Sequence, residues 1–113
     1  MTIALSACDV PTAPRDAVAI VPPAHYRVWW GELETCSGLT GDFDRVQFYA
    51  VPVLVYDGRR LTGLWMERGN KIILADMYLN VHRVVRHEMM HALRQAGSHP
   101  TAYFNGPCGN LLS

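Results

Sequence analysis

The residues of this chain best suited to chemistry are His87-Glu88-Met89-Met90-His91 and, beyond them, His99. Histidines four apart on an α-helix lie about 40° apart around the axis and roughly 6 Å along it. Two such imidazoles reach one ion from the same side, at the roughly 2.0–2.1 Å typical of zinc–nitrogen bonds. Glu88 neighbours His87 and points away from direct ligation, yet it can reach a water at such an ion and accept its proton during attack on a carbonyl. That is the chemistry of a His-Glu-x-x-His helix, although the same pattern also arises on helices by chance. After Glu88 the chain contains no Asp or Glu, and its only histidines there are His91 and His99. A turn at Gly97 would bring His99 back toward the metal as third ligand. Three protein ligands with one open position make a catalytic zinc site, whereas structural sites fill all four positions.

These residues need a helix to carry them and a frame to hold it. Val81, Val84, Val85, Glu88, Met89, Ala92 and Leu93 recur at helical spacing, which predicts a helix from about Asn80 to Gln95 with Gly97 as its left-handed C′ residue. His87 and His91 then flank Val84 at the edge of the apolar stripe, where a ligand faces a cleft. Tyr26, Trp29, Trp30 and Leu33 predict an earlier helix from Ala24 to Thr35, ending near Ser37-Gly38; its aromatic stripe reads as core. Between the helices lie β-type runs at Val46–Val51, Val53–Tyr56, Leu61–Met66 and Lys71–Ala75. Asp57-Gly58 and Arg68-Gly69-Asn70 supply turns, and Pro52 marks a break. His82 sits about 140° from His87 around the helix, so it and His25 read as surface residues outside the metal set.

The chain has 113 residues, half of them apolar, which suits one small α+β domain. A core of that size benefits from a staple or a metal. Lys plus Arg and Asp plus Glu are ten each, and there is no polybasic run, so nucleic acid is not an expected partner. Residues 9–23 hold four prolines and read as a semi-extended tether. Three cysteines remain, Cys8, Cys36 and Cys108. In an exported protein Cys36 and Cys108 are expected to pair, closing a loop of about 70 residues for roughly 4 kcal/mol. The alternative is two free thiols, or one thiolate on the metal.

Two resemblances add to this. Leu5-Ser6-Ala7-Cys8 resembles the lipobox of bacterial lipoproteins, in which the cysteine is lipidated and becomes the new N-terminus. Only seven residues precede Cys8, so either the leader begins further upstream or the match is accidental. The resemblance implies a leader remnant over 1–8, a tether over 9–23, and a domain over 24–113 in the bacterial cell envelope or secreted. From about Tyr26 to His99 the order helix, strands, motif helix, turn, His is similar to the zincin metallopeptidases. It implies a zincin-like α+β fold with a backing helix, a small twisted sheet, an active-site helix and a very short C-terminal segment. It further implies Zn2+ on His87, His91 and His99, Glu88 as general base, and a monomer acting on a peptide or protein. Leu61–Met66 would be the sheet edge that pairs with the bound peptide, and Tyr103 either a donor to the oxyanion or simply packing. The chain departs from the metzincin pattern His-x-x-Gly-x-x-His, because both Gly97 and His99 arrive late, which implies a helix about a turn longer. It also lacks the downstream Glu of gluzincins. The competing function is a non-catalytic binding domain of a lipoprotein, with zinc as a structural clip and Cys36 or Cys108 as fourth ligand.

Overall fold

The computed structural model describes residues 14–113; Cys8, its lipobox-like neighbours and the first part of the tether lie outside them. Pro22 and Pro23 cannot donate to a preceding turn, so the first helix, α1 (Ala24–Ser37), starts directly after them. Gly38 ends it with φ 77° and returns its N–H to the Glu34 carbonyl. Tyr26, Trp30 and Leu33 recur on one face and are buried there. The Tyr26 hydroxyl donates to the Leu79 carbonyl at 2.5 Å, which ties α1 to the segment leading into the motif helix. Burial pushes that phenol up to about 12, so it stays a donor at any physiological pH.

The sheet has four strands: β1 (Val18–Ile20), β2 (Gln47–Val51), β5 (Gly63–Met66) and β6 (Lys71–Ala75), in the order β1-β2-β6-β5. β2 and β6 run parallel, with Phe48 opposite Ile72 and Ala50 opposite Leu74; the two outer pairings are antiparallel. Alternation along β6 explains its unbroken apolar run. Ile72 and Leu74 face the helices, while Ile73 and Ala75 face the opposite side. That second face is covered by a hairpin of β3 (Leu54–Tyr56) and β4 (Arg59–Leu61), turned by Asp57 (φ 53°) and Gly58 (φ 72°) as a two-residue turn requires. The result is a mixed α/β fold in three layers: helices, sheet and hairpin.

Three sequence expectations are corrected here. Val18–Ile20, read as part of a tether, is extended but paired, and it completes the sheet beside β2. The run Leu61–Met66 is two strands. Leu61 pairs with Leu54 in the hairpin, whereas Gly63–Met66 pairs with β6, and Thr62 sits between with its carbonyl taking the Ala75 N–H. The motif helix α2 spans His82–Arg94, and its left-handed residue is Gln95 (φ 57°), two positions before Gly97. Gln95 tolerates that conformation because its own amide caps the helix end, donating to the Ala92 carbonyl at 2.6 Å. The chain closes with two short helices, α3 (Thr101–Phe104) and α4 (Gly109–Leu112).

α2 packs on α1 and on the same sheet face. Val85, Met89, Met90 and Ala92 enter the main core with Tyr26, Trp30, Phe48 and Ile72. Arg86, buried between the helices, reaches Glu32 of α1 at 2.5 Å and lies over the Trp29 ring. Cys36 and Cys108 are disulfide-bonded, with Cα atoms 5.2 Å apart, so the end of α1 holds the segment that follows α3.

Candidate metal centre

The structure brings together His87, His91 and His99. Their Nε2 atoms form a near-equilateral triangle: His87 to His99 3.1 Å, His87 to His91 3.2 Å and His91 to His99 3.1 Å. Three nitrogens bound tetrahedrally at zinc-like distances lie about 3.3 Å apart, so the triangle fits a single shared cation. Hydrogen bonding cannot account for it. The His91 Nδ1 lies 2.9 Å from the Ala96 carbonyl, which only accepts, so the ring hydrogen sits on Nδ1 and Nε2 presents a bare lone pair. A carbonyl behind a ligating imidazole fixes its tautomer and its angle. These three histidines lie close enough to bind a metal ion.

Two of the imidazoles, His87 and His91, are also biased toward the neutral form that ligation requires. Burial, then the charges that His91 and His99 would carry, lower the His87 pKa from 6.5 to about 4. Burial lowers His91 as well, against the opposing pull of the Ala96 carbonyl.

Local geometry explains how His99 returns. α2 stops at Arg94, and the Gln95 and Ala96 amides bond back to the Ala92 and His91 carbonyls. The late position of His99 is thus absorbed by a turn after the helix rather than by a longer helix. Arg94 clamps this turn, donating to the Ser98 carbonyl at 2.7 Å and to its hydroxyl at 3.1 Å. Its guanidinium also lies over the rings of Tyr103 and Phe104, at 5.2 and 5.8 Å.

Phe104 is a site residue that the sequence did not single out. Its ring lies 5.1, 5.2 and 4.9 Å from those of His87, His91 and His99, forming an apolar wall against all three. Trp65 of β5 is another, lying nearly parallel to the His91 ring at 6.3 Å and oriented by its own bond to Asn70. Tyr103, the suggested oxyanion donor, is half-buried beneath Arg94. His82 contacts Arg86 and lies outside the triad, while His25 sits against Trp29.

Glu88 is only 8% exposed. Burial raises its carboxyl from 4.5 to about 7, tempered by a hydrogen bond from the Trp65 backbone amide. Gly63 makes room for it. A β-carbon there would stand 3.1 Å from the Glu88 Cγ, 3.2 Å from Leu74 and 3.3 Å from Val84. The backbone of β5 therefore approaches the motif helix closely, and a cleft of about 350 Å3 opens there between Thr62, Gly63, Arg83, His87 and Glu88. The arrangement can hold a cation on one side and a proton acceptor beside it.

No protein-family model matches this chain, and neither does any curated protein or any solved structure.

Proposed function

We propose that the protein is a zinc-dependent hydrolase of peptide bonds, a minimal zincin-like peptidase that is exported to the bacterial envelope or beyond it. The observation that carries this reading is the triangle of three imidazole Nε2 atoms with a buried carboxyl on the adjoining residue of the same helix. An all-imidazole set suits zinc, copper, iron or nickel. Three nitrogens with one position left for water and a neighbouring general base favour zinc hydrolysis.

A zinc ion held by His87, His91 and His99 would supply Lewis acidity toward a water and a carbonyl oxygen. The chain supplies the remaining chemistry. Glu88 takes a proton from the attacking water and returns it to the departing amine as the C–N bond breaks. Phe104 packs against all three ligand rings and Trp65 against that of His91, which limits how the rings can turn. β5 is an edge strand, so an extended peptide can add to it beside Glu88. Tyr103 follows the third ligand closely and is the proposed donor to the oxyanion.

The disulfide supports export, since such bonds persist in oxidising compartments. Among the described residues no helix is long and apolar enough to cross a membrane. A lipidated Cys8 is the proposed point of attachment. Because both Cys36 and Cys108 are consumed by the disulfide, neither is free as a thiolate to close the fourth position, which weighs against the structural-clip reading.

The test is Glu88→Gln assayed against a mixed peptide library. Hydrolysis should fall by about 100-fold or more while one zinc per chain is retained. Loss of the metal together with activity, or activity untouched, would remove Glu88 from the proposed role.

A further inference from the structure

The cleft beside the histidines is electrostatically one-sided. Of its lining residues the charged ones are Arg83 and Glu88, and Glu88 is buried while Arg83 is exposed. A second depression of about 290 Å3 continues past the shared residues Leu61 and Thr62 toward Pro52 and Met77, and its only charged lining residue is Arg60. Among the described residues neither Arg60 nor Arg83 joins an ion pair, whereas Arg27, Arg45 and Arg86 all do. Asp76 is exposed near the second depression in sequence but does not line it. The floor thus carries two uncommitted guanidinium groups and one carboxylate withdrawn from solvent.

Arg83 precedes His87 by four residues, so it lies on the same side of α2 and about 6 Å further toward its start. In an extended peptide, side chains two residues apart share a face and lie about 7 Å apart. A peptide bond seated at the histidines therefore presents a side chain one or two residues away to Arg83. Guanidinium groups hold carboxylates through two parallel hydrogen bonds, a geometry that an ammonium cannot reproduce.

Resting on the peptidase reading of the centre, we propose that the cleft selects peptides with an acidic residue within two positions of the scissile bond. Arg83 is the residue that reads it, and Arg60 adds attraction further along. Lysine at the same substrate position is disfavoured by the same charge.

The experiment uses the full chain loaded with zinc and a peptide series on one backbone, carrying Glu, Gln or Lys at each position flanking the bond. Both kcat/KM and equilibrium binding are measured, for the wild type and for Arg83→Glu. Wild type should prefer Glu over Gln by about 3- to 10-fold, and the preference should shrink at high salt, as for an exposed ion pair. Arg83→Glu should reverse the order so that Lys is favoured, with zinc content unchanged. A wild type indifferent to charge, or a preference that survives Arg83→Glu, overturns the inference. Should no peptide be cleaved while Glu peptides bind in an Arg83-dependent way, the selectivity stands and the hydrolase reading falls. Absence of both cleavage and charge-dependent binding overturns both.

Discussion

At the scale of single residues, the centre is a contest between protons and a cation for the same nitrogen lone pairs. Folding lowers the His87 pKa from 6.5 to about 4, so as pH falls the unfolded imidazole takes its proton first. The metal-free fold should therefore lose stability as pH falls from about 6.5 toward 4, while protons displace metal from His87 itself only as pH reaches about 4. Metal lost already near pH 6.5, or undiminished well below pH 4, would contradict the ligand set. Glu88 titrates in the opposite sense. Its folded pKa is raised from 4.5 to about 7, so the native state of the metal-free protein holds the proton longer and loses stability as pH rises through that window. Glu88→Gln should stabilise the metal-free protein above pH 7 by up to about 3 kcal/mol and have little effect below pH 4.5, read by denaturant titration in chelator. Identical pH profiles for the two proteins would mean that Glu88 is not desolvated. Spacing made His87, Glu88 and His91 legible in the sequence, and the lack of any other ligand after Glu88 made His99 so. Phe104 and the Ala96 carbonyl were not legible, because neither has a local pattern; each acts only through where the turn after α2 leads.

At the scale of elements, hydrophobic periodicity gave both long helices and the strand Lys71–Ala75, since those signals are local. The misread parts depended on partners. Val18–Ile20 is a strand because β2 offers it an edge, and Leu61–Met66 divides because its two halves face different layers. Gln95 displaces Gly97 as the left-handed residue because its side chain satisfies the helix end. The approach of α2 to β5 rests on Gly63, whose backbone is not in the left-handed region and whose value is therefore space alone. Gly63→Val should cost about 1–3 kcal/mol and displace Glu88, read as a lowered denaturation midpoint together with lost hydrolysis. Gly31 provides the contrast, since it lies inside α1 and a β-carbon added there would meet nothing within 4 Å. Gly31→Ala should stabilise by about 0.5–1 kcal/mol. A Gly63→Val change tolerated as well as Gly31→Ala would show that no close approach constrains Gly63.

At the scale of the whole molecule, His99 is carried by a C-terminal segment that Arg94 clamps at Ser98 and the disulfide ties to α1. α3 and α4 are each four residues long, so they depend on the core for support. Cys108 is buried and bonded to Cys36, which fixes the far end of the stretch bearing His99 and Phe104 to α1. Replacing both cysteines by serine should cost about 2–5 kcal/mol and speed metal release, because the loop that presents His99 loses its anchor. Unchanged metal release would place the anchoring elsewhere, with Arg94 and its Ser98 bonds. The pairing of Cys36 with Cys108 was legible once export was expected and Cys8 was set apart by its lipobox resemblance, but its consequence for the centre required the fold. The most direct measurement is metal content per chain after zinc loading and dialysis, wild type beside His99→Ala. One zinc in the wild type and a stoichiometry near zero in the variant is the expected result. A wild type that retains no metal, or a variant that keeps a full equivalent, would contradict a centre built on three histidines.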